Sequence, residues 1–252
     1  MFESNEALID SLMEEGVLKT PRIIEAFGAV DRKDFVPPEL QADAYVNAPL
    51  PIGFNQTISQ PLTVAFMLEL LEPRPGEKIL DVGSGSGWQT ALIAHVVSDS
   101  ISKIKYQKSK IYDARLSKTQ TLLDAEVEPK IILPLIRQRG GKVFAVERIP
   151  KLCAFGKSNV SKYNFVSRGI VEFFCQDGSL GFPEHAPFDK IIAAASAREL
   201  PPAWREQLKI GGRIVTPIQN SVWLFEKIDA AKWRETEYPG FAFVPLVKAS
   251  DA

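Results

Sequence analysis

The residues best able to do chemistry gather in a glycine-rich turn, Gly83-Ser84-Gly85-Ser86-Gly87-Trp88. It follows the apolar run Lys78-Ile79-Leu80-Asp81-Val82 and opens a helical pattern. Glycine at alternate positions lets the backbone take positive φ and approach a ligand closely, and a helix start offers unpaired N–H groups. A nucleotide-like ligand suits such a turn. Dinucleotide-binding turns place glycine at the first, third and sixth positions; counted from Gly83, the third is Gly85 but the sixth is Trp88, so that spacing fails. Two acids follow downstream. Glu147 ends a second apolar run, where its two oxygens could accept both ribose hydroxyls, although a carboxylate favoured by a helix start is the alternative. Asp177, in Gln176-Asp177-Gly178 after a third run, could accept from an adenine amino group, but taken alone it is better explained as an Asp-Gly turn.

These residues need strands and helices to position them. Before Lys78 the chain reads as a helical preface: Ala7 to Glu15 puts Leu8, Ile9, Leu12 and Met13 on one face, and Thr20-Pro21 starts a second helix with Ile23, Ile24 and Phe27. From Lys78 onward short apolar runs alternate with helical segments, the pattern of a parallel sheet covered on both faces. Strands are expected over Lys78–Val82, Lys142–Val146, Val171–Cys175, Phe188–Ala193 and Arg213–Pro217, with helices over Trp88–Val97, Pro150–Tyr163 and Pro202–Leu208. Val222–Phe225 and Phe241–Leu246 leave no room for a crossover helix, so they are expected to complete seven strands as an antiparallel pair. Asp99 to Gly140 is longer than a simple connection requires and is locally basic, so it is read as an inserted, solvated excursion.

Composition narrows the function classes. The 252 residues, 45% hydrophobic and 24% charged, suit one domain of the larger kind. With 30 Lys plus Arg against 31 Asp plus Glu, no overall field would draw the protein to nucleic acid or to an anionic membrane surface. No stretch approaches the roughly 20 apolar residues of a membrane span, and no apolar run follows the acidic start, so an unexported cytoplasmic protein is expected. Cys153 and Cys175 are expected as free buried thiols, and with only His95 and His185 besides, no metal site is expected.

A loop ahead of the sheet names a reaction. Pro49-Leu50-Pro51-Ile52-Gly53-Phe54-Asn55-Gln56-Thr57-Ile58-Ser59-Gln60-Pro61 resembles the substrate and active-site loop of the protein-L-isoaspartate O-methyltransferases, although Ser59 or Thr57 could serve at the same time as a helix cap. Ala44-Tyr45 through Ile52, Leu80–Gly87, Val146-Glu147-Arg148, Asp177-Gly178, Ala186 to Asp189, Ala193 to Ala195, Gln207-Leu208, Gly211-Gly212 and Phe243 to Leu246 extend the similarity to all but the insertion. Gly87 and Asp81 fit the methyltransferase version of the glycine turn. The resemblance implies a single domain over residues 1–252, with residues 1–60 forming the helices and substrate loop and 99–140 the insertion. Its sheet would be α/β, doubly wound, Rossmann-like and seven-stranded, mostly parallel with antiparallel C-terminal strands. It implies S-adenosyl-L-methionine as cofactor, with Gln56, Thr57, Ile58, Asp81, Gly83, Ser84, Gly85, Glu147, Asp177 and Gly178 as candidate contacts. Ser59 would be the active-site hydroxyl, and Phe243, Val244, Pro245 and Leu246 would hold the substrate backbone. Asn55 stands where many members have glycine and Leu62 where some have histidine.

The implied reaction is methylation of the carboxylate of L-isoaspartyl residues in damaged proteins and peptides, by a chain expected to act as a monomer. A carboxylate with pKa around 4 is already ionised near neutral pH, so no general base is needed. That agrees with the lack of His, Cys or paired carboxylates in the Ser59 loop, where the hydroxyl would orient the substrate rather than attack. Other readings are another carboxyl or small-molecule O-methyltransferase, or a non-catalytic relative that binds the cofactor. The Asn/Asp-Pro-Pro-aromatic motif of amino-directed DNA enzymes does not occur in Ala193 to Glu199.

Overall fold

The computed structural model describes residues 2–98 and 140–247, so the expected insertion lies outside the described residues except for Gly140. Helix α1 (Asn5–Glu14) begins where Ser4 Oγ accepts from Ala7 N at 3.2 Å, and α2 (Pro21–Ala29) begins on a proline whose missing N–H costs nothing there. Helix α1 buries Leu8, Ile9 and Leu12; Met13, expected on the same face, is 43% exposed, because it lies about 100° round the helix from Leu12. A short hairpin follows, β1 (Leu50–Gly53) and β2 (Gln56–Ile58), and then α3 (Pro61–Leu71). At the hairpin tip Phe54 and Asn55 have φ of 56° and 55°. Asn55 therefore replaces glycine with a side chain that tolerates the left-handed region better than most.

The main sheet takes β3 (Lys78–Val82), β4 (Lys142–Glu147), β5 (Val171–Cys175), β6 (Phe188–Ala193), β7 (Leu208–Ile218), β8 (Ser221–Lys227) and β9 (Trp233–Pro239). Their order is β5-β4-β3-β6-β7-β8-β9, parallel through β7 and antiparallel at β8 and β9. The expected doubly wound, mostly parallel, seven-stranded architecture is therefore present. Helices α4 (Trp88–Val97), α5 (Pro150–Ser161) and α6 (Pro202–Gln207) complete it. Alternation along the strands feeds two cores: Ile79, Val143 and Ala145 join α4 and the N-terminal helices, whereas Leu80, Phe144, Val146 and Trp204 form the other. All ten residues of α4 are buried, as expected of a helix sandwiched between β4, α2 and α5. Among the described residues no helix is long and apolar enough to cross a membrane.

Three expectations are corrected. The seventh strand is β9, not Phe241–Leu246. Strand β9 lies at the sheet edge and alternates half-buried with exposed residues, among them Arg234, Glu235 and Glu237, so it carries no apolar run for a sequence pattern to reveal. The apolar run at 241–246 instead leaves the sheet, and Pro245, lacking an N–H, contributes only an isolated bridge opposite Ser196. Strand β7 also begins earlier than expected, at Leu208, and passes through Gly211 and Gly212 with a shift in register. Finally, Cys153 is buried but Cys175 is exposed, since it ends the outermost strand on the other edge.

The step from β3 into α4 is held by Asp81. Its fully buried carboxylate accepts from Gln89 Nε2 at 2.9 Å and Thr90 Oγ1 at 2.5 Å, which ties the strand to the first turn of the helix. Burial pushes this carboxyl up to about 6, against the pull of the two hydrogen bonds and with help from the neighbouring Glu147. A raised carboxyl pKa contributes stability that is present below the unfolded value and lost as pH rises through the folded one. Wild type should therefore lose ~3 kcal/mol relative to Asp81→Asn between about pH 4 and 7. Urea titrations of both proteins across that range check this, and parallel stability curves would remove the assignment.

Candidate active site

The sheet order reverses between β3 and β6, and the crevice outside the carboxyl ends of adjacent strands at such a point is where ligands bind in doubly wound folds. The glycine turn closes the floor of this crevice. Gly83, Gly85 and Gly87 have φ of 73°, 51° and 85°, which lets the chain curl over the end of β4. There Gly83 N and Ser84 N both donate to Val146 O, at 2.8 and 3.2 Å. Glu147, the last residue of β4, turns its buried carboxylate back to the turn: Oε2 accepts from Gly85 N at 3.0 Å and Oε1 from Ile149 N at 2.9 Å. Each oxygen keeps acceptor capacity, in the fixed orientation that two vicinal hydroxyls require.

Around this floor the cleft has four walls. The β1–β2 hairpin supplies Ile52, Gln56 and Thr57, and the turn into α5 supplies Arg148, Ile149 and Leu152. Gly178 and Ala194-Ala195 come from beyond β5 and β6, and Val244, Pro245, Leu246 and Val247 come from the C-terminal segment. That segment is anchored on Ser196, whose N donates to Val244 O and whose carbonyl accepts from Leu246 N, each at 2.8 Å. The hairpin tip is drawn onto α5, with Lys151 Nζ 5.6 Å from the Phe54 ring centroid.

Of the candidate cofactor contacts, Gln56, Thr57, Gly83, Gly85, Glu147 and Gly178 line this cleft. Four do not. Asp81 is buried beneath the turn, and its oxygens are engaged by α4. Ile58 faces the core, because alternation along β2 turns it away from the cleft that Thr57 meets. Asp177 caps a short 3-10 turn by accepting from Ser179 N at 2.8 Å, which is the Asp-Gly turn weighed above. Ser84 is buried in the glycine turn away from the cleft, and its Oγ has no hydrogen-bond partner among the described residues. Among the candidate substrate residues, Val244, Pro245 and Leu246 line the cleft, whereas Phe243 packs on the main core and Ser59, half-buried just after β2, is not among the lining residues.

The donor set fits S-adenosyl-L-methionine. It combines a carboxylate held in a fixed orientation, apolar walls and backbone exposed at glycines. Gly178 cannot be replaced without loss of space, since a Cβ there would meet Val82 Cγ1 at 2.5 Å. Ile52, Arg148, Ile149 and Leu152 were not among the candidates, and only their proximity in sequence to the hairpin and to Glu147 signalled them. Gly156 was missed as well, though a glycine inside an expected helix is itself a signal of close packing. A Cβ at Gly156 would lie 2.7 Å from Gly85 O and 3.2 Å from the Phe173 ring, so α5 presses directly on the glycine turn. Gly156→Ala should displace that turn, weakening S-adenosylhomocysteine binding by about tenfold or more and lowering stability by ~1–3 kcal/mol. Calorimetric titration and denaturant unfolding would check both, and unchanged affinity would mean that the turn does not depend on this contact.

Comparison with known proteins agrees with this geometry. The family model of protein-L-isoaspartate(D-aspartate) O-methyltransferase matches residues 3–123 and 129–251. A protein-L-isoaspartate O-methyltransferase of Methanopyrus kandleri is 36% identical over 248 residues, 97% of this chain and 91% of that protein. Its counterpart in Aeropyrum pernix is 37% identical over 97% of this chain and 80% of the relative. Among solved structures, a Plasmodium falciparum chain assigned as a protein-L-isoaspartate O-methyltransferase and crystallised with S-adenosyl-L-homocysteine has the same fold. Its TM-score is 0.74 at 20% identity, covering 98% of this chain and all of that one. The glycine turn, the acid ending the second strand of the parallel sheet and the hairpin at the cleft thus stand in a chain that belongs to the protein-L-isoaspartate(D-aspartate) O-methyltransferase family.

Proposed function

We propose that this chain transfers a methyl group from S-adenosyl-L-methionine to the free carboxylate of L-isoaspartyl residues in damaged proteins and peptides. The observation that carries the reading is the meeting of the hairpin residues Gln56 and Thr57 with the backbone of Val244 to Leu246 at the cleft that Glu147 and the glycine turn define. Peptide recognition needs backbone partners beside the cofactor; with Val244 O and Leu246 N held by Ser196 and Pro245 lacking an N–H, Val244 N and the carbonyls of Pro245 and Leu246 are the groups that would serve.

The lining side chains favour a nucleophile that arrives ionised. Only Glu147 and Arg148 among them are charged, and Glu147 is committed to the glycine turn and Ile149. Among the described residues no lining side chain is left to serve as a base, which suits a carboxylate and not a phenol or thiol. When bound, S-adenosyl-L-methionine would supply a sulfonium methyl to the carboxylate oxygen, the C–O bond forming as the C–S bond breaks, with S-adenosylhomocysteine as the leaving group and a methyl ester as the product. The contribution of this chain is placement. Glu147 holds ribose, Gln56 and Thr57 close the side where substrate enters, and Ser59 donates one hydrogen bond to the carboxylate to align its other oxygen. Ala194 and Ala195 leave room beside the transferring methyl.

Among the described residues the hairpin, the glycine turn, the turn into α5 and residues 244–247 of one chain line the cleft together, and we read the protein as acting as a monomer. Free thiols at Cys153 and Cys175 suit a reducing, cytoplasmic setting.

The test is transfer of labelled methyl to an L-isoaspartyl peptide beside its aspartyl twin. Transfer confined to the isoaspartyl peptide as a base-labile ester is the expected result, and Ser59→Ala should lower kcat roughly 10- to 100-fold, the worth of one hydrogen bond to a charged group. Glu147→Gln, which turns an amide NH2 toward one of the backbone N–H groups of Gly85 and Ile149, should instead raise the dissociation constant of S-adenosylhomocysteine by about tenfold or more and lower stability by ~1–3 kcal/mol. Turnover of small acids with indifference to the isoaspartyl peptide would overturn the substrate assignment.

A further inference from the structure

Behind the Ser59 loop lies a charged side chain that none of the roles above uses. Arg32 has no exposed surface, yet among the described residues no carboxylate pairs with it: its guanidinium is spent on backbone carbonyls. Nη1 donates to Ala44 O at 2.6 Å and Val46 O at 3.1 Å, and Nη2 donates to Ala48 O at 2.9 Å and Ser59 O at 3.1 Å. The neighbouring Asp31 carboxylate is occupied elsewhere, by Tyr45 and Lys33 N. Burial lowers the guanidinium pKa to about 10, and Nε has no hydrogen-bond partner among the described residues. A cation kept in so costly a place needs a reason beyond filling space, for which a leucine or methionine would serve with less loss.

Its contacts identify the reason. Three of the four carbonyls alternate along 44–48, and that segment grips the Ser59 loop a second time: Gln60 Nε2 donates to Asn47 O and Leu62 N donates to Asn47 Oδ1, each at 3.0 Å. The guanidinium carbon also lies 5.4 Å from the ring centroid of Trp88, the first residue of α4 after the glycine turn, and Trp88 is wedged edge-on against Phe27 at 5.5 Å. One planar, multiply donating group thus joins the Ser59 loop, the segment bracing it and the helix that begins where the cofactor turn ends.

We propose that Arg32 is a positioning residue for methyl transfer, fixing the backbone of Ser59 against the start of α4 so that the substrate side of the site keeps register with the cofactor side. This rests on the reading of Ser59 as the residue that orients the carboxylate. Lysine cannot replace it, because an ammonium has three donors on a flexible stem, whereas the arginine fork reaches four carbonyls from a fixed plane.

The experiment compares wild type, Arg32→Lys and Asn47→Ala. It measures S-adenosylhomocysteine affinity, kcat and KM for an isoaspartyl peptide, and hydrogen exchange of amides in 44–62 against those in 83–88. Arg32→Lys should bind S-adenosylhomocysteine within about twofold of wild type while kcat falls roughly 10- to 100-fold with KM little changed, and exchange should rise in 44–62 alone. Asn47→Ala, which loosens the same brace at a half-buried site, should give the same pattern more weakly and provides the reading if Arg32→Lys fails to fold. Wild-type kcat in the variants would overturn the proposal. So would loss of cofactor affinity in proportion to kcat, because that marks a general structural role. Should wild type itself fail on every isoaspartyl peptide, the proposed function falls, and exchange decides this inference separately: unchanged protection of 44–62 in both variants would refute it.

Discussion

Two carboxylates buried at the carboxyl ends of neighbouring strands govern the construction of this protein. Asp81 on β3 and Glu147 on β4 lie close enough for the charge of one to disfavour ionisation of the other, and water reaches neither freely. Such a pair is tolerable only if its surroundings supply donors, and each donor fixes a piece of the fold. Gln89 and Thr90 answer Asp81 and so set where α4 begins; Gly85 and Ile149 answer Glu147 and so set the turn between β3 and α4 and the entry into α5. The curvature of the glycine turn, the packing of Gly156 against it and the apolar envelope of α4 all follow from holding these oxygens in place.

Much of this architecture was legible in the sequence because its signals are local. Parallel strands buried on both faces must be continuous apolar runs, and β3 to β6 read as such. The glycine spacing distinguished one nucleotide turn from another before any coordinates. What escaped was information carried by partners distant in sequence. Strand β9 owes its place to pairing with β8 and bears charges on its open side, while the apolar run at 241–246 signals burial and nothing about pairing. Asp81 looked like a ligand contact because acids near glycine turns often are; only the geometry reveals that its oxygens point at α4.

The candidate site divides the same way. Gln56, Thr57, Glu147, Gly178 and Val244 to Leu246 were identified by motif and stand at the cleft. Ile58, Ser84, Asp177 and Phe243 share those motifs but not the surface, since alternate residues of a strand and successive residues of a turn face different ways. Arg32 gave no signal, for an arginine near the start of a chain reads as surface charge until its four carbonyls are seen.

The cleft also draws on widely separated parts of the chain, from Ile52 in the hairpin to Leu246 in the segment anchored on Ser196. During translation the sheet core from β3 to β7 can leave the ribosome well before that last wall exists. A nascent chain therefore holds the glycine turn and Glu147 before it holds the wall at 244–247, so the side of the cleft read as meeting substrate is the last to be completed.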